Sequence, residues 1–261
     1  MSIGDRVAHS LQAASGFAVG DLVWYALMAG GVWLLFYVLL RSWMRRRKIV
    51  PSMPLKRQMA WEVLLSLRSA AIFGLTGGVI VFLALSGVRP RIYRSIDEHG
   101  WGWYVLSIIL AVVIHDAYFY WTHRLLHHPA MFRRFHRTHH LSNNPSPWAA
   151  YSFSAGEAVV QAGIGPLLVY TLPMHYSAFA AFMTVQITFN VFGHCGYELF
   201  PQRFIRSPAG RLLNSVTHHA MHHEKVHANF GLYFNVWDRL MGTNHPEYEV
   251  RFEQTTGAVE R

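Results

Sequence analysis

Two uninterrupted apolar stretches in the first third of the chain restrict its fold more than any other feature. Residues 22–40 contain no charged side chain, and residues 69–87 are equally clean, with Arg68 at the border and Trp61 and Glu62 just before it. A helix needs about 20 mostly apolar residues to cross the hydrocarbon core of a bilayer, so each stretch is long enough to span one. A third candidate covers 101–121. It opens on Trp101, Trp103 and Tyr104, an interfacial aromatic anchor, and ends among polar groups that include His115 and Asp116. Two shorter stretches, 157–172 and 177–192, flank Leu172, Pro173, Met174 and His175 and read as a tight helical hairpin.

The expected fold is therefore all-α: an integral membrane, multi-pass bundle of about four or five transmembrane helices with a cytoplasmic helical cap. Composition agrees, since 52% of the residues are hydrophobic and 14% charged, outside the range of ordinary soluble domains. The N-terminal segment through Ser15 contains Asp5 and His9 and lacks the apolar run of a cleaved leader, so the first span is expected to stay in place. Arg41, Arg45, Arg46, Arg47 and Lys48 follow the first span, and Lys56 and Arg57 precede the second, which places that loop in the cytoplasm. Threading the remaining spans puts 122–156 and everything after Phe192 on the same side.

The net charge of +9 does not point to nucleic acid, because the basic residues lie beside apolar spans rather than among stacking aromatics. Anionic lipid headgroups are the simpler partner. A single cysteine, Cys195, excludes a disulfide within the chain and any iron–sulfur cluster built on four cysteines. A bound metal must use other ligands.

Histidine supplies them. Of 17 histidines, seven fall between His115 and His140 and five between His218 and His227. His123 and His127 are four apart and share one helical face, so both rings can meet one metal. The groups His136, His139, His140 and His218, His219, His222, His223 repeat spacings of three and four, and each can present a triplet to a shared centre. One tetrahedral zinc uses about four ligands, so this supply suits two metals better. Imidazole accommodates zinc, copper, iron and nickel, whereas the scarcity of nearby carboxylates disfavours calcium and magnesium. No His-Glu-x-x-His protease motif is present, and the Glu-x-x-His pattern of soluble di-iron bundles is missing as well.

These residues resemble the fatty acid hydroxylase and sterol desaturase superfamily. The similarity lies in a His-x3-His box at His123 and His127, a His-x2-His-His box at His136, His139 and His140, and a later one at His219, His222 and His223. It extends to Asp116 with Phe119, Tyr120, Trp121 and Arg124, to His194 through Glu198, and to Asn229 through Gly231 with Trp237 through Thr243. The resemblance covers roughly 101–245. It implies a catalytic region there, an N-terminal membrane region at 1–100 with two transmembrane helices, and a C-terminal tail at 246–261.

What the resemblance further implies is a non-haem di-iron oxidoreductase that uses dioxygen to hydroxylate or desaturate a sterol, fatty acyl chain, sphingolipid or ether lipid. An unactivated lipid C–H bond has no acidic proton, so redox chemistry must come from a cofactor. The expected ligands are His123, His127, His136, His139, His140, His219, His222 and His223, with His218 as an additional one and His194 on the strength of the resemblance. Asp116 and Asp238 are candidates for orienting the rings from behind; salt bridges with Arg124 and Arg239 are the alternative. The chain carries no nucleotide fingerprint or cysteine cluster, so electrons are expected from separate proteins. The other reading is a histidine-rich membrane protein that binds haem or binds or transports metal. Haem needs only two axial histidines, and a transport pathway should line the spans, so both leave the clustered triplets unexplained. Gly74, Gly77 and Gly78 serve either a substrate cavity or close helix packing. His175 is expected to be an ordinary solvated histidine.

Overall fold

The computed structural model describes residues 1–257. Among the described residues, three helices are long and apolar enough to cross a membrane: α1 (Ile3–Leu39), α2 (Lys56–Leu85) and α3 (Gly100–Leu126). Ser2 caps α1 reciprocally with Asp5, so the helix begins well before the charge-free stretch and carries Asp21 within it. Large apolar side chains such as Val23, Leu27, Leu64, Val79 and Ile109 face outward on these helices, as lipid contact requires.

The expected hairpin is shorter than the first three spans. Its first arm is broken at Gly163 into α4 (Ala155–Ala162) and α5 (Ile164–Thr171), and its second arm is α6 (Tyr176–Gly193), of 18 residues. The four or five expected spans thus reduce to three by length and composition. A two-residue parallel pairing of β1 (Ile92–Tyr93) with β2 (Met174–His175) clasps the hairpin turn to the end of α2 and the start of α3. His175 is buried in this clasp rather than solvated, with its ring against the Arg94 carbonyl.

α1 and α2 pack closely. A Cβ at Gly74 would lie 2.5 Å from the Ala14 carbonyl oxygen, and one at Gly78 would lie 2.8 Å from the Ala14 Cβ. Close packing accounts for these two glycines, while Gly77 lines a cavity between the helices. The basic segment after α1 folds under the bundle: the Ile49 amide donates to the Gly196 carbonyl and the Glu198 amide to the Arg47 carbonyl. The histidine-rich segments gather at this same end. There α7 (Val216–Lys225) packs against α8 (Tyr248–Gly257), so the expected tail is helical as far as it is described; 258–261 lie outside the described residues.

Candidate metal centre

Three helical pairs supply most of the site. His123 and His127 close α3, His136 and His140 bracket the turn after it, and His219 and His223 lie on α7, each pair four residues apart on one face. Residues 132–136 form a π-helical turn, a distortion that commonly marks functional sites. The nitrogens of His123, His127, His136, His140 and His222 form one group, and those of His139, His194, His219 and His223 a second; within each, all lie within 4.8 Å of one another. Each four-residue pair stays within one group. His139 and His222, the neighbours of His140 and His223, cross to the other, so the two groups are fastened together by adjacent residues.

In three of the rings a hydrogen bond fixes which nitrogen faces inward. His123 Nδ1 donates to the Phe230 carbonyl at 2.8 Å, His194 Nδ1 to the Asn190 carbonyl at 2.7 Å and His222 Nδ1 to the Ala228 carbonyl at 2.7 Å. A carbonyl only accepts, so in each neutral ring Nε2 is a bare lone pair. His222 Nε2 has no partner, and His194 Nε2 faces Nε2 of His219 at 3.0 Å, His223 at 3.2 Å and His139 at 3.4 Å. Converging buried lone pairs repel one another unless a cation sits among them, and they fit a metal in each group. Burial also keeps the rings neutral, as metal ligation needs: His140 is pushed down to about 3, His194 to about 4, and His136, His219, His222 and His223 well below the usual range.

The structure gathers nine of the ten expected ligands. His218 is the exception. It lies outside both groups, with its Nε2 toward Asn244 Oδ1 at 3.2 Å and Asp238 Oδ2 at 3.5 Å. Neither expected aspartate touches a clustered ring. Asp116 accepts the Tyr233 and Phe234 amides at 3.0 and 3.1 Å, and Asp238 accepts the Phe230 and Gly231 amides at 2.9 and 2.7 Å. Asp238 thus acts on His123 at one remove, by holding the Phe230 loop whose carbonyl the ring meets. The alternative pairings with Arg124 and Arg239 are also absent among the described residues. This loop also holds Val226 and Asn229 at φ +64° and +63°, strain that aims the Ala228 and Phe230 carbonyls at His222 and His123.

The carboxylate that does meet a clustered ring is Glu157, whose Oε1 lies 2.7 Å from His136 Nδ1 with both side chains buried. Its signal in the sequence was slight: a serine three residues earlier, Ser154, whose hydroxyl caps α4 by accepting the Glu157 amide. A cation at His136 Nε2 would favour the ionised carboxylate, and Glu157 holds this ring as the carbonyls hold His123, His194 and His222. Glu157→Ala is expected to weaken metal binding in the first group about ten- to a hundredfold, measured by chelator competition, with Glu157→Gln recovering part of the loss. Unchanged affinity in the alanine variant would remove Glu157 from the site.

A cavity of about 590 Å³ runs between α1, α2, α3 and α6 and ends against this cluster. Phe119 and Phe153 form the boundary: they line the cavity while their rings lie 4.9 Å from His123 and 5.4 Å from His139. Its size is that of small-molecule sites, and among the described residues lining it there is no lysine or arginine.

Fold and site together define an all-α protein with three membrane-length apolar helices and a buried, two-group histidine cluster at one end of them. The chain belongs to the fatty acid hydroxylase family, which matches residues 108–243. Similar proteins include the Delta(7)-sterol 5(6)-desaturase ERG3B of Gibberella zeae, 36% identical over 59% of this chain and 46% of its own length. The Delta(7)-sterol 5(6)-desaturase erg3C of Aspergillus fumigatus is 31% identical over 62% of this chain and 56% of its own. Lathosterol oxidase of Rattus norvegicus is 27% identical over 74% and 63%. The chain therefore spans about half to three fifths of the length of these relatives. No solved structure matches it.

Proposed function

We propose that this chain is a non-haem di-iron membrane oxidoreductase that uses dioxygen to desaturate or hydroxylate a lipid, with a sterol as the first candidate. The observation that carries the reading is the meeting of an apolar cavity with two groups of inward-facing imidazoles. The relatives named as sterol desaturases and lathosterol oxidase support an oxidoreductase acting on a lipid. A transport pathway would distribute its ligands along the spans, whereas these converge at one end.

His123, His127, His136, His140 and His222 would hold one iron, and His139, His194, His219 and His223 the other. When bound, the irons supply the redox chemistry that an unactivated C–H bond demands and that no side chain of the chain provides. The protein's part is to hold and shield. The Phe230, Asn190 and Ala228 carbonyls and Glu157 hold the orientations of His123, His194, His222 and His136, and Phe119 and Phe153 would keep water away from the boundary where a lipid carbon would lie. Residues 101–245 form the catalytic region in this reading. The basic segment folded beneath the cluster supports a cytoplasmic side for it, where anionic headgroups and separate electron-donating proteins would be within reach.

The test is to purify the chain in detergent from iron-supplemented cells, measure metal content and the visible spectrum, and supply a Δ7-sterol with oxygen and a reductase system. About two irons per chain, no Soret band and an oxygen-dependent product, desaturated or hydroxylated, are expected. A Soret band, or no redox metal under any supplementation, would overturn the proposal.

A further inference from the structure

The cavity has a polar feature that the metal centre does not use. Among the described residues, four buried side-chain oxygens lack a hydrogen-bond partner, and two of these, Asp21 Oδ2 and Gln186 Oε1, belong to residues lining the cavity. Two other polar side chains of the lining are satisfied: Thr76 donates to the Ile72 carbonyl and Asn190 to the Ala150 carbonyl. Asp21 sits inside the apolar helix α1, where a carboxylate is costly and points to a function. Only its other oxygen is engaged, by the Tyr151 hydroxyl at 3.3 Å.

We propose that Asp21 and Gln186 anchor the hydroxyl group of a neutral lipid held in this cavity. The step rests on the function proposed above and names the polar end of the ligand. Both orphaned atoms are acceptors, so the missing partner is a donor. The absence of lysine and arginine from the lining leaves a phosphate or carboxylate without a counter-charge, and the Asp21 carboxyl opposes one. Position agrees as well. Gln186, Asn190 and His194 follow one another at four-residue intervals along α6, which places Gln186 about 12 Å from His194 along the axis. One lipid can therefore reach both the anchor and the histidine end.

The hydroxyl could belong to a sterol or to a linear lipid, and two pairs of probes separate them: 5α-cholestan-3β-ol against 5α-cholestan-3-one, and octadecan-1-ol against its methyl ether. Each pair removes the donor and keeps the skeleton. Binding to the detergent-purified chain is expected to favour the alcohol by about tenfold or more in at least one pair, and that pair identifies the skeleton. Asp21→Asn keeps an oxygen for Tyr151 but can offer an N–H in place of the second acceptor. It should bring the preference to within about twofold, and Gln186→Leu should weaken it in the same direction. No preference in either pair, or a preference that survives both substitutions, overturns the anchor. Iron content and turnover are measured on the same samples. A chain without iron that keeps the preference would defeat the proposed function alone, and an iron-loaded, oxidising chain without it would defeat the anchor alone.

Discussion

Alanine at His194 is expected to remove one of the two metals and to lower lipid oxidation by more than a hundredfold, while membrane insertion and helix content persist. His194 Nε2 faces the Nε2 atoms of His139, His219 and His223 at 3.0–3.4 Å, so its loss opens the centre of the second group. Changes to residues that only orient ligands typically cost about ten- to a hundredfold, and removal of a ligand should exceed that. His222→Ala should empty the first group instead. Metal analysis of the two purified variants beside circular dichroism decides the matter: full metal content or full turnover in either would sink the two-group assignment.

The second large effect lies away from the metal. Gly74→Leu should prevent α1 and α2 from meeting, because the first added carbon would already fall 2.5 Å from the Ala14 carbonyl oxygen. Overpacking commonly costs about 1–3 kcal/mol, and a clash with backbone belongs at or beyond the upper end because neither helix has a flexible atom to yield. The expected sign is a loss of about 10 °C or more in thermal unfolding of the detergent-solubilised protein. Gly102→Leu is the control, since a Cβ there meets nothing within 4 Å. Equal stability of the two variants would show that the α1–α2 contact is not close in solution.

Sequence periodicity revealed the parts of this molecule whose signals are local. Long charge-free runs announced α1 and α2, and four-residue spacing announced the three histidine pairs. The partition into two groups was hidden, because it depends on how α3, the turn after it and α7 meet in space. His194 stands alone in its segment, so only a family likeness pointed to it. Asp116 and Asp238 attracted notice as carboxylates beside the boxes, yet both are engaged by backbone amides. The carboxylate that faces a ring, Glu157, lies 21 residues from His136 and heads an apolar run, so no local pattern ties the two together. Asp21 borders the charge-free stretch 22–40, and it stands out because the helix continues past it.

The assignment of adjacent histidines to different groups also sets an order of events during synthesis. The first group needs His222 and the second needs His219 and His223, so neither is complete until α7 has left the ribosome. By then α1, α2 and α3 have all been made, and chains in translation hold only partial sets of ligands. On the proposed reading, metal loading would therefore be a late step, with both sites becoming complete within the same few residues, and a chain truncated before α7 would have neither.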